Sequence, residues 1–301
     1  WVVAIIYVKR AYLRTLHRSI SKGIFNSDEV YLNDQKSIDI LLNKISNGKK
    51  SEIIYALKLL GKANHPDIVS LLYQQLYKED KEVKMYVLSE LSKVKKPDID
   101  MLKHLVEREG DSEIKQSLTS IICRNDKTYL NMLSEKIEHL EYAVRKVVII
   151  SLLNQDEFDH LFKAGNELNN LIQSPVPEER ELAIHIISEL KNVRFTNAIE
   201  QLINDEDLSV KRNAIMVACK LRVKNILPDI LGMLSNPSGK YIALQGLLQY
   251  GDDLFVDIEP SVINSYTAEL VGLAGKMKGA QSTNFLLMHL STSPDWINKI
   301  V

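Results

Sequence analysis

Cysteine, proline, glycine and tryptophan are all scarce in this chain, and each shortage excludes something. Two cysteines, Cys123 and Cys219, cannot build a disulfide framework. No Asn-x-Ser/Thr acceptor with a permitted middle residue occurs either, so a reducing, cytosolic side is expected. Twelve glycines and eight prolines in 301 residues are too few for a fibrous or linker-rich chain. Alternation at period two is missing as well. LFVDI, 254–258, is the one strand-like fragment, and it reads as part of a helix kinked by Pro260.

Reaction chemistry is equally thin. No Gly-x-Ser-x-Gly elbow is present. GLAGKMKGAQST, from Gly272, fails as a phosphate loop, because two residues separate Gly272 from Gly275 and Met277 stands where Ser or Thr would hold magnesium. Asp156 and His160 share a helix face but lack the further ligands of a zinc site. The remaining histidines, such as His65, His104, His139 and His185, have no nucleophile or acid at telling spacing. No catalytic residue, cofactor or metal is expected. Cys123 and Cys219 stand nine residues after Ile114 and Val210, which open two copies of a repeated apolar phrase, and this equivalence suits small core residues under a neighbouring helix.

Charge of one sign is absent overall but not locally. The whole chain has 38 bases and 39 acids, yet the first 22 residues hold Lys9, Arg10, Arg14, Arg18 and Lys22 with no acid. Residues 23–301 are left with 33 bases against 39 acids. A mildly acidic body does not spread cations along a face as a nucleic-acid binder would, so no nucleic-acid partner is expected.

What the chain does have is a repeated phrase. In EVKMYVLSEL, Val83 and Lys84 are followed by apolar residues four, five and eight positions after the valine. The phrase returns at Ile114, Val144, Glu179, Val210 and Gly239, with weaker copies at Glu52 and Glu269. Offsets of four and eight share one stripe of a helix, and the base after the anchor lies outside it. Each phrase is therefore one amphipathic helix. A second apolar-periodic run precedes most of them, as in IVSLLYQQL and IDMLKHLV, with Pro66-Asp67 and Pro97-Asp98 at two of the starts. The spacing predicts a helical hairpin of about 30 residues, repeated about eight times, in an all-α chain. The longest interval falls at the helix EFDHLFKAGNELNNLIQS, 157–174, where a bulge or bend is expected.

A hairpin of this length whose second helix opens with Val-Lys or Val-Arg resembles the HEAT repeats, in the short variety of the bilin-lyase-like proteins. The resemblance covers roughly residues 36–290, with NDEDLSVKRNA carrying the turn acid Asp205 before Val210 and Lys211. It implies an α-α superhelix and an acid–base ladder with Lys84, Lys115, Arg145, Arg180, Asp205, Lys211 and Lys240 as members. The same six bases on a solvated face is the alternative reading. Ile53 and Leu270 replace the base in the outer copies, and several turns lack the acid.

The opening stretch, WVVAIIYVKRAYLRTLHRSI, runs eight residues without charge and then turns basic. Trp1–Val8 is about 12 Å long as a helix, short of the ~20 apolar residues a span requires. The first residue is not methionine and the chain stops in SPDWINKIV, as a piece cut from a longer polypeptide would. Residues 1–22 are expected to be the cytoplasmic end of a transmembrane helix with its basic juxtamembrane segment. A capping helix with Tyr12, Leu13 and Leu16 inward is the alternative. Residues 23–35 then form a linker, and 36–301 the repeat array, cut at its C-terminal end.

This junction resembles bacterial carriers of the nucleotide-transporter type, related to ATP:ADP antiporters and the major facilitator class, that carry a cytosolic HEAT region. The resemblance implies a non-catalytic interaction or scaffold module on the cytoplasmic side of a membrane, the bacterial inner membrane. Its partners would be a protein or an adjacent domain of the same polypeptide, with the basic segment on an anionic membrane surface. A free-standing cytoplasmic scaffold and a HEAT-type lyase subunit are the alternatives.

Overall fold

A computed structural model describes residues 35–155, 157–190 and 195–290, and every regular element among them is helical. The chain divides into two compact units after Val147, a point that falls inside a helix. Residues 1–22, and with them Lys9, Arg10, Arg14, Arg18 and Lys22, lie outside the described residues.

The first unit contains α1 (Gln35–Asn47), α2 (Lys50–Lys62), α3 (Ile68–Gln75), α4 (Lys81–Leu91), α5 (Ile99–Arg108), α6 (Ser112–Asn125) and α7 (Lys127–Ser134), and the start of α8 (Tyr142–Leu153). Consecutive helices pair as hairpins, α1 with α2, α3 with α4 and α5 with α6, and the second helices pack in series, α2 on α4 and α4 on α6. Aspartates start these helices: Asp80, Asp98, Asp111 and Asp126 each accept a hydrogen bond from an amide two or three residues on.

The second unit contains α9 (Phe158–Ile172), α10 (Pro177–Leu190), α11 (Thr196–Leu202), α12 (Leu208–Lys220), α13 (Leu227–Gly232) and α14 (Pro237–Tyr250). It continues with α15 (Leu254–Asp257), α16 (Pro260–Ser265), α17 (Thr267–Ala274) and α18 (Ala280–Leu290). Here too the second helices of successive hairpins pack in series, α10 on α12, α12 on α14 and α14 on α17.

The repeated phrase explains this packing, because a hairpin cannot bury both sides of its second helix alone. The residue four after each anchor is buried in all eight copies: Ala56, Val87, Leu118, Val148, Ala183, Ala214, Ala243 and Leu273. Eight after the anchor, Leu60, Leu91, Ile122, Leu152, Ile187, Ala218 and Leu247 are buried too. Met277, in the last copy, is only half-buried, because α17 ends at Ala274 and the methionine lies beyond it. The small residues at 214, 218 and 243 let α12 and α14 approach closely. A Cβ on Gly246 would lie 2.7 Å from Ile215 Cγ2 and 3.2 Å from Cys219 Sγ.

Pro260 acts differently from the expected kink. The chain leaves α15 at Ile258 in an extended conformation, and Pro260 opens a new helix, α16, at its first position. Tyr250 Oη donates to Asp257 Oδ2 at 2.7 Å, and Lys224 Nζ meets Oδ1 at 2.5 Å, which holds the end of α15 in place.

Leu91→Ala, which empties a fully buried site, is expected to cost about 2–5 kcal/mol. Gly246→Ala, which forces α12 and α14 apart, is expected to cost about 1–3 kcal/mol. Urea unfolding followed by circular dichroism measures both, and a loss within experimental error at either position would contradict this packing.

Candidate functional site

Acids on the turns between hairpin helices meet bases on the helices of the hairpin before. Lys84, on α4, donates to Glu109 Oε2 at 2.8 Å, and the two side chains are only 17% and 14% exposed. Glu109 stands three residues before α6, and its other oxygen accepts from the Asp111 amide at 3.0 Å. Asp111 in turn receives the Glu113 and Ile114 amides that open α6. One carboxylate thus joins a base on one hairpin to the cap of the next.

The same construction recurs in the second unit. Arg180, on α10, makes a two-pronged pair with Asp205, Nε to Oδ2 at 2.7 Å and Nη2 to Oδ1 at 2.8 Å. Asp205 stands three residues before α12 and accepts from the Asp207 amide, and Asp207 receives the Ser209 and Val210 amides. Arg180 Nη1 also donates to the Ser174 carbonyl.

Of the other bases singled out by the repeat, Lys115 meets Glu141 at 3.0 Å, and Lys240 meets Glu269 at 2.9 Å. Arg145 is buried and engaged. Lys211 makes no ion pair among the described residues, and the place three residues before α14 is filled by the buried Leu234 instead of an acid. Before α4 the same place carries Lys78, which donates to the Ile45 and Ser46 carbonyls at the end of α1. The preceding copy has Ile53 where a base would be, so no acid is called for there.

The pairs move the carboxylates off their ordinary values. Burial pushes the Glu109 carboxyl up, but Lys84 and the Asp111 and Gly110 amides outweigh it and hold the group below the usual range. Arg180 is the main cause of the same downward shift at Asp205. Burial opposes Lys240 at Glu269, and the net direction is again down.

Cys123 and Cys219 are buried, which pushes both thiols up to about 12 and leaves neither as a thiolate near neutrality. Among the described residues no group of three or more His, Cys, Asp or Glu side chains is placed to hold a metal. Asp156 lies outside the described residues, and His160 Nδ1 is 3.2 Å from Glu157 Oε2. In the stretch from Gly272, the start of α18 is occupied by the chain itself: Asp252 accepts the Gln281 and Ser282 amides at 2.8 and 2.7 Å. A side chain at Gly279 would run into that carboxylate.

One surface was not visible in the repeat. On α9, the longest described helix, Phe158 and Phe162 are 78% and 61% exposed with their rings stacked 6.2 Å apart, and Leu161 is exposed beside them. The signal was the longest anchor interval, which falls on this helix, together with three large apolar residues at i, i+3 and i+4. No helix among the described residues is long and apolar enough to cross a membrane. Neither a protein-family model nor a curated protein sequence matches the chain.

Arg180→Gln is expected to lower stability by roughly 1.5–3 kcal/mol, since it removes charged hydrogen bonds and leaves Asp205 without its partner. Lys211→Gln, with no rung to lose, is expected to stay within about 0.5 kcal/mol of the parent. Equal losses in urea unfolding would contradict the difference between the two turns.

Because the folded carboxylates titrate below their ordinary values of 3.8 for Asp and 4.5 for Glu, their contribution is fully present above those values. It is lost as pH falls through the depressed folded values. The urea midpoint should hold from neutrality to about pH 5 and fall below about pH 4.5, and Asp205→Asn should flatten that fall. A midpoint that rises on acidification would contradict the assignment.

Proposed function

We propose that the chain is a non-catalytic interaction and scaffold module of HEAT type, a solenoid built from about eight hairpins. The recurring contact between a base one position after the anchor and a turn acid of the next hairpin supports this reading, as in Lys84–Glu109 and Arg180–Asp205. Such a stack presents surfaces and has no call for a reactive group.

The observation that carries the interaction reading is the exposed aromatic face of α9. Aromatic side chains, phenylalanine among them, are enriched at the cores of protein interfaces. The partner we propose for this face is a second copy of the chain. Antiparallel pairing about a two-fold axis between Leu161 and Phe162 sets each Phe158 over the partner's Gly165. A Cβ there would meet nothing within 4 Å, so the glycine leaves room for the ring.

Sedimentation velocity tests this: the parent is expected to run as a dimer at micromolar concentration, and Phe158→Ser with Phe162→Ser as a monomer with unchanged circular dichroism. A monomeric parent would overturn self-pairing through α9.

The second part of the reading is a membrane-proximal position, the cytosolic region of a carrier of nucleotide-transporter type, with Lys9, Arg10, Arg14, Arg18 and Lys22 against an anionic leaflet. Its support is the sign of the charge: five bases and no acid in 22 residues, on an otherwise acidic body. Each base near such a surface contributes about 1 kcal/mol. The chain is expected to co-sediment with phosphatidylglycerol vesicles at low salt and to release as salt rises. Replacing the five bases by Gln should abolish binding. Equal binding to neutral phosphatidylcholine vesicles, or no effect of the substitutions, would contradict it.

A further inference from the structure

Between α2, α3 and α4 lies a cleft of about 590 Å³, well within the size of small-molecule sites. Ile54 from α2 and Ile68 from α3 give it partly exposed apolar walls, the buried Leu57 and Leu72 lie beneath them, and the Tyr86 ring lines the α4 side. Two cations, Lys58 and Lys62, stand on its rim one helical turn apart. Neither side chain has an ion pair or hydrogen bond among the described residues, as is also true of Lys36, Lys95, Lys96 and Lys136 in the same unit. The one acid at the rim, Glu90, is already held by Lys93 at 2.7 Å. The cleft therefore joins apolar walls to two lysines that have no ion pair among the described residues, with Glu90 on the opposite side of its rim.

We propose that this cleft binds an amphipathic monocarboxylate, with its apolar chain along Ile54 and Ile68 and its carboxylate between Lys58 and Lys62. The Tyr86 hydroxyl has no hydrogen-bond partner among the described residues and is a donor for the same head group. Burial pushes that hydroxyl's pKa up to about 12, so it keeps its proton across the working range. An apolar chain without the anion would leave the lysines unused, and a small anion without the chain would leave the walls wet.

Isothermal titration with decanoate, and with decanol as the uncharged control, tests the assignment. Decanoate is expected to bind at one site per chain and to weaken by roughly tenfold or more in Lys58→Gln with Lys62→Gln, while decanol binds weakly and is unchanged. Gly61 lines the cleft and has open space around its Cβ position, so Gly61→Phe should fill the site and abolish both, with helicity retained. No decanoate binding at millimolar concentration, binding indifferent to all three substitutions, or equal affinity for decanol would overturn the proposal. Flotation with phosphatidylglycerol vesicles that depends on Lys58 and Lys62 would also overturn it, by assigning the lysines to a lipid surface.

Discussion

A turn carboxylate that faces two ways is the interaction on which this architecture depends. Glu109 and Asp205 each take a cation from the hairpin before and an amide from the turn they belong to. The apolar stripe of a second helix drives it against its neighbours, but burial is non-directional and would tolerate sliding by a turn. The carboxylate does not tolerate that, because its two partners fix where the next helix begins. Since Lys84–Glu109 and Arg180–Asp205 are mostly withdrawn from water, they are screened less than the surface pairs Lys50–Glu82 and Lys93–Glu90.

Where the acid is missing, something else takes its place. Ser174 stands at the turn before α10, where its hydroxyl accepts the Val176 amide and its carbonyl accepts from Arg180. Leu234 stands at the turn before α14 and is buried, so that junction rests on apolar contact and on the close approach at Gly246. The chain thus uses a carboxylate, a serine or an apolar side chain for one task. Lys211, at the apolar junction, makes no ion pair among the described residues.

The hairpins were legible in the sequence because each copy shows the same stripe, and helical geometry alone converts offsets of four and eight into a buried line. Met277 escapes that line because α17 stops three residues earlier. Pro260 was legible as a disturbance but not as a helix start, since the extended Ile258 before it depends on Tyr250 and Lys224 gripping Asp257. Asp205 was readable as a turn acid, yet Glu109, Glu141 and Glu269 were not tied to their bases, because the turns between differ in length. The cleft was invisible for a different reason: its walls come from three helices, and the repeat period says nothing of the space between them. On α9 the long interval pointed to the right helix, but exposure of Phe158 and Phe162 is a property of the packed fold and not of the period.

If the turn carboxylate couples one hairpin to the next, disturbing the base should be felt at the cap some 25 residues away. Native-state hydrogen exchange on Arg180→Gln measures this directly. The account predicts that the Asp207, Ser209 and Val210 amides lose protection well beyond the loss at interior α10 amides such as Ile184 and Ile187. Unchanged protection at those three amides, or a uniform loss across both helices, would contradict it.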